Sequence, residues 1–392
     1  MASSALSFSA DSMDTLEPTS RVHGLDTLRA LAIVFVVLHH YVLFVSGEDT
    51  FGWVGSIGWV GVDLFFALSG YLIGNQLFAA MRSEQGLSLW RFYARRLLRT
   101  LPNFYFVLAL YFCWPYFRNG LALPPLWEFL TFTQNINLRP GTAFSHAWSL
   151  CIEEQFYLVL PAGALLIASM RRSLGWAWAA LALGLVGGML VRASVWNDLV
   201  ANDGGSSQFF TDIYYSTLCR LDELIAGVAL ALLRQYHPGL WQRLTSHGNV
   251  ALAGGVALSA LTFTLFLNDR YGYGVTVFGY PMLALSFGLL LVSALSPGSV
   301  LREMRVPGAA SMALWSYAIY VLHKQVCILA NAQLRSWGLE PDMPLAVAAM
   351  LALSVLTGWL LFRMVEAPFM ALRDRYVPSN LNAPAATALQ SR

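Results

Sequence analysis

The chain has 392 residues, of which 57% are hydrophobic and only 12% charged, and its formal net charge is +2. Ordinary soluble domains carry about 25% charged residues, so long apolar blocks at this charge density exclude a soluble globular protein. The absence of a basic tract interleaved with aromatic residues excludes a nucleic-acid partner. What remains is an all-α, polytopic transmembrane helix bundle in a lipid bilayer.

Residues 1–20 are polar and rich in serine, with no basic residue before Arg21. They lack the charged start and apolar centre of a signal peptide, and residues 1–24 are expected to form a disordered cytoplasmic tail. Long apolar blocks then predict about ten spans, near 25–46, 57–80, 97–117, 147–169, 174–196, 209–233, 248–267, 275–296, 309–333 and 344–370. They make up one membrane domain over 25–370, followed by a short tail over 371–392. Arginine placement sets the orientation. With the N-terminus cytoplasmic, the inner loops hold 11 arginines, among them Arg91, Arg95, Arg96, Arg99, Arg171 and Arg172. The outer loops hold 4: Arg118, Arg139, Arg270 and Arg335. Ten spans place both termini on the cytoplasmic side.

The first span carries Arg29 and His40, both costly in hydrocarbon. Eleven residues apart, they share one helix face and are separated by a rise of about 16 Å. His39 points about 100° away. The second span opens with Gly52, Gly55, Gly58 and Gly61, which suit close helix approach; the absence of a strand before them argues against a dinucleotide-binding loop. Asp63 and Ser69 follow inside the membrane. For both, helix packing or an ion pair stands beside a functional role. Arg91, Arg95 and Arg99, with Arg96 beside them, stripe the entry to the third span. They form either a positive anchor or a phosphate clamp. The outer connection over 118–146 contains LWEFLTFTQNI, too short and polar to span and suited to lying at the interface or re-entering.

In the fourth span, Glu153 and Glu154 enter an apolar helix, and Glu153 shares a face with Tyr157. Depth along the two helices permits a contact between His40 and Glu153. Arg220, Asp222 and Glu223 in the sixth span are expected to compensate one another as a structural ion pair, Arg220 with Glu223 at i, i+3. The ninth span places His323 and Lys324, the only lysine, near mid-membrane. Cys113, Cys151, Cys219 and Cys327 have no metal-ligand spacing and read as packing residues; no metal site is expected.

Several blocks together resemble the acyltransferase-3 family of integral membrane O-acyltransferases. They are LDTLRALAIVFVVLHH, GVDLFFALSGYLIG, RFYARRLLRTLP, HAWSLCIEEQFYLVLP, RLDELIAG, SYAIYVLH and FRMVEAPF, in the family's order across residues 25–370. The departures are His39, where a hydrophobic residue is usual, and the lack of an esterase-like domain after the spans, which suggests a stand-alone enzyme. The resemblance implies transfer of an acyl group, expected to be acetyl, from cytoplasmic acyl-coenzyme A to a hydroxyl. The acceptor is a glycan or lipid-linked sugar of the envelope, or alternatively a small molecule such as a macrolide. The setting is a bacterial inner membrane. His40 is the expected general base, with Glu153, Asp63 and Ser69 as further catalytic groups. Arg29, Arg95, Arg96 and Arg99 are expected to bind the donor phosphates, and Trp148, Ser149, Tyr157 and His323 the substrate. The competing class is a proton-coupled glycolipid transporter or flippase, which also uses intramembrane acids, arginines and histidines. A transporter has no need of the arginine stripe.

Overall fold

Antiparallel helices follow from the alternation of apolar blocks and polar turns. The computed structural model describes residues 22–47, 49–169 and 174–380. Most of the expected N-terminal tail, Arg171, Arg172 and the end of the C-terminal tail lie outside the described residues. Ten main helical segments follow one another along the chain: α1 (His23–Tyr41, continued by a π-helical turn Val42–Ser46), α2 (Val60–Arg82), α3 (Leu89–Cys113), α4 (Trp148–Ser169), α5 (Leu174–Ala201), α6 (Asp222–Tyr236), α7 (Gly248–Asn268), α8 (Tyr280–Leu295), α9 (Ala309–Ser336) and α10 (Pro344–Leu361). Among the described residues there is no strand. Eight stretches, containing all of these but α3 and α6, are long and apolar enough to cross a membrane. The arginine stripe dilutes α3, although its 25 residues reach about 37 Å.

The sixth span departs from expectation. It is not one helix over 209–233 but a short helix (Ser206–Phe209), a π-helical turn (Phe210–Tyr214) and a 3₁₀ turn (Thr217–Cys219), with α6 only from Asp222. Irregular backbone at membrane depth survives only where protein satisfies it. Here the outer connection does so. Its short helix Leu126–Leu130 leads into a dip in which Gln134 and Asn135 are buried. Asn135 Nδ2 donates to the Tyr215 carbonyl and to Thr217 Oγ1, both at 2.9 Å. Gln155 of α4 donates to the Phe132 carbonyl at 2.6 Å and accepts from Thr217 at 2.6 Å. The polar segment thus re-enters the bundle and fills the break.

The C-terminal boundary also shifts. α10 continues through a π-helical turn (Phe362–Glu366) into a helix over Ala367–Tyr376, so the expected tail begins as structure. Arg95 holds it, donating to Asp374 at 2.9 Å and to the Val377 carbonyl at 2.5 Å.

The core packs most extensively where α2 crosses α6. Gly70 and Gly227 make that crossing possible. A Cβ on Gly70 would collide with the Leu224 carbonyl oxygen, and one on Gly227 with the Ala67 carbonyl oxygen. Neither neighbour can move without moving a helix, so Gly227→Val should cost more than the ~1–3 kcal/mol of ordinary overpacking. The expected result is loss of the monodisperse peak when the detergent-solubilised variant is run on size exclusion.

Candidate functional site

At the arginine-rich end a cavity of about 350 Å³ opens between α1, α2, α3 and the segment after α10, lined by Arg29, Arg95, Arg96, Arg99 and Arg373 and by no carboxylate. A smaller cavity of about 100 Å³ continues it inward, sharing Arg29, Ser69, Arg96 and Arg99 and adding Glu153, Ser149 and Tyr320. The arginines are not equivalent. Arg95 and Arg373 share Asp374. Arg96 bridges Glu153 and Glu154, each at 3.4 Å, and lies 4.0 Å over the Tyr157 ring. Arg29 and Arg99 line both cavities and have no ion-pair or hydrogen-bond partner among the described residues. Two half-buried guanidiniums therefore face an open cavity whose lining holds no carboxylate.

Glu153 is held from three sides. Ser69 donates to one carboxyl oxygen at 3.0 Å, and Tyr157 donates to the other at 3.1 Å, joined there by Arg96. Tyr157 is fully buried, so it supports Glu153 rather than facing a substrate. The i, i+4 spacing correctly pairs these two. Glu153 does not meet His40. Equal depth leaves the direction around each helix open, and Glu153 turns to α2 and α3 while His40 turns to α9.

His40 lines a separate cavity of about 40 Å³ toward the opposite end, with His39, His146, Trp148, Tyr214 and Arg270. Its Nδ1 lies 2.7 Å from His323 Nε2, and its ring is 5.9 Å from that of His146. His39 lines the same cavity, with its Nδ1 2.7 Å from the Gly55 carbonyl oxygen. His323 is 1% exposed and both ring nitrogens are engaged, so it is not placed to touch a substrate. Lys324 beside it is buried too, donating to Ser145 Oγ at 2.9 Å over the Phe44 ring. Trp148 lines this cavity and Ser149 the inner one, where Ser149 Oγ lies 2.6 Å from the Tyr320 hydroxyl. Val62 lines both. Arg29 and His40 thus share a face of α1 but open into two chambers that have Val62 in common.

The charges of the sixth span pair outward. Arg220 binds Asp63 of α2, and Asp222 takes Arg192 of α5 at 2.5 Å and 2.9 Å. Neither carboxyl oxygen of Glu223 has a hydrogen-bond partner among the described residues. The expected Arg220–Glu223 pair is therefore replaced by two bridges to other helices, because Arg220 precedes α6 and the i, i+3 geometry never forms. Asp63, expected among the catalytic groups, is fully buried in its bridge and lines none of the three cavities. Sequence reasoning missed Arg192, although a lone arginine in the apolar block GMLVRASVW is the kind of intramembrane charge that marks a partner. It also missed Arg373 and Asn380, which line the arginine cavity from a stretch read as tail. No group of residues suited to a metal ion occurs among the described residues.

The family described as an acyltransferase domain matches residues 22–363. Among curated proteins, the chain is similar to the peptidoglycan O-acetyltransferase OatA of Listeria monocytogenes, 26% identical over 370 residues, or 88% of this chain and 55% of that protein. It is 28% identical over 335 residues to the putative peptidoglycan O-acetyltransferase YrhL of Bacillus subtilis, covering 79% and 50%. It is 24% identical over 372 residues to the O-acetyltransferase OatA of Staphylococcus aureus, covering 88% and 56%. The chain spans about half the length of the curated relatives it matches. No solved structure matches.

Removing one member of a buried ion pair costs about 3–5 kcal/mol. Arg220→Ala should therefore lower the melting temperature and yield sharply by stranding Asp63. The double variant Arg220→Leu/Asp63→Leu should recover much of that loss, as thermal unfolding in detergent would read.

Proposed function

The chain belongs to the acyltransferase-3 family, and from that premise we propose that it is a membrane O-acetyltransferase. It takes an acetyl group from coenzyme A at the arginine-rich end and passes it to a hydroxyl of a cell-wall glycan at the opposite end. The observation that carries this reading is the pair Arg29 and Arg99. Two guanidiniums without an ion-pair partner among the described residues, in a cavity of about 350 Å³ lined by five arginines and no carboxylate, suit an anionic ligand of more than one charge. The phosphates of coenzyme A meet that need, and its long pantetheine arm carries the thioester away from them toward the interior. Excess arginine marks this end as cytoplasmic, where acetyl-coenzyme A is made. The names of the relatives support peptidoglycan as the acceptor and a bacterial plasma membrane as the setting.

In this mechanism His40 is the general base. It removes the proton from the acceptor hydroxyl as the oxygen attacks the thioester carbonyl; the tetrahedral intermediate collapses, breaks the carbon–sulfur bond and releases the coenzyme A thiolate, which takes up a proton. Arg96 bridges Glu153 and Glu154 and holds them in place, so these side chains shape the donor chamber. Ser69 and Ser149 line its inner part. Transfer between chambers requires the thioester to pass Val62.

Calorimetry with acetyl-coenzyme A tests the donor site. Hydrogen bonds to charged groups contribute about 1.5–3 kcal/mol, so Arg29→Ala and Arg99→Ala should each weaken binding roughly 10–100-fold. Lysine at either position should restore it only in part, because the two-pronged fork is lost. Unchanged affinity in both alanine variants overturns the donor site. His40→Ala should bind donor normally and lose about 10²–10⁴-fold in transfer, whereas His39→Ala should keep most activity if it folds.

Val62 offers an independent measurement. Val62→Phe should leave donor affinity intact and slow acetyl transfer, monitored as release of free thiol in the presence of a soluble cell-wall glycan fragment. Muropeptide mass spectrometry of a strain lacking the gene should show loss of acetylated sugars; an unchanged profile would sink the peptidoglycan assignment.

A further inference from the structure

We infer that His323 is a positioning residue that fixes which nitrogen of His40 acts as the base, an inference that rests on the reading of His40 as general base. The argument begins one turn back in α9. His323 Nδ1 lies 3.0 Å from the Ile319 carbonyl oxygen. A carbonyl only accepts, so the hydrogen sits on Nδ1 of His323 and the lone pair of the neutral ring on Nε2. That lone pair is 2.7 Å from Nδ1 of His40. Nδ1 of His40 must then donate, which leaves Nε2 of His40 bare. A peptide carbonyl thus sets two tautomers in succession.

The ring geometry agrees. The two planes differ by only 3° and the centroids are 4.9 Å apart. With nitrogens 2.7 Å apart, that separation places the rings edge to edge in one plane. The N–H of one therefore points along the lone pair of the other, the favourable alignment for a hydrogen bond. His323 is buried and α9 packs along α1, so the acceptor is fixed in place.

This matters because a neutral histidine in water favours the opposite tautomer, with hydrogen on Nε2. The second nitrogen's hydrogen bond selects the form that reacts. Many hydrolases use a carboxylate for that purpose. Around His40 stand His39, His146, His323 and Lys324, and no carboxylate hydrogen-bonds to it. A second imidazole takes the role. When His40 gains a proton at Nε2, His323 still accepts from Nδ1, and Ile319 draws the dipole of His323 into line with the new charge.

The test compares His323→Gln, which keeps an acceptor near the place of Nε2, with His323→Leu, which does not. Acetyl-coenzyme A turnover on a soluble cell-wall glycan fragment is measured beside His40→Ala. The leucine variant should lose about 10²–10⁴-fold in kcat, with donor affinity unchanged. Glutamine should recover most of that loss at a similar melting temperature. If His40→Ala is inactive while His323→Leu turns over normally, this inference fails and the base assignment stands. If His40→Ala is itself active, the base assignment fails. Equal loss in the glutamine and leucine variants reduces His323 to a packing residue.

A measurement on the unaltered protein avoids any folding defect. Nitrogen-15 spectra of histidine-labelled protein, with His40 assigned by its absence in His40→Ala, should show a protonated Nδ1 and a bare Nε2 at neutral pH. The reverse pattern overturns the inference.

Discussion

The bridge between Arg220 and Asp63 is the contact on which the middle of this bundle depends. Both side chains are fully buried, and a lone charge at that depth would cost several kcal/mol. The guanidinium also lies 4.5 Å from the Tyr214 ring, 4.4 Å from Tyr280 and 5.2 Å from Trp148. One side chain therefore joins α2, the broken sixth span, the start of α8 and the start of α4. Trp148 is the first residue of α4, and the register of α4 decides where Glu153 stands. The donor chamber inherits its geometry from a pair that does not line it.

Charge is then divided unequally between the two ends. At the arginine-rich end most acids are already taken: Asp374 by Arg95 and Arg373, Glu153 and Glu154 by Arg96. Arg29 and Arg99 are left over, and a cavity lies in front of them. At the other end imidazoles replace acids. His40 meets His323, and the nearby cation Lys324 is tied to Ser145 and Phe44. Such a division suits a reaction with an anionic donor on one side and a neutral hydroxyl acceptor on the other, with a base that must be uncharged before it acts.

The broken sixth span serves the same separation. Asn135 donates to its Tyr215 carbonyl and Gln155 accepts from its Thr217 hydroxyl, and Tyr214 and Tyr215 from it line the His40 chamber beside Trp148. A continuous helix would have kept the Tyr215 carbonyl to itself and left the Asn135 amide hydrogens without that acceptor. Polarity in the outer connection and irregularity in the span are two halves of one arrangement.

By itself the sequence determined the all-helical bundle, because a backbone in hydrocarbon satisfies its hydrogen bonds within each helix and so writes its spans as apolar blocks. It also determined what one helix can fix: Arg29 and His40 on one face, and Glu153 beside Tyr157. Only the tertiary structure decided which charge meets which. Arg220 looks toward Glu223 on an ideal helix, yet it lies before α6 begins and binds Asp63, more than 150 residues away. His40 and Glu153 match in depth, but rotation about each helix axis sends them to different neighbours. Arg96 belongs to the same stripe as Arg99, yet one bridges two glutamates and the other lines a cavity without a bridging acid. Spacing along a helix fixes height and relative angle; the partner across the interface is set by packing between helices, which no local pattern encodes.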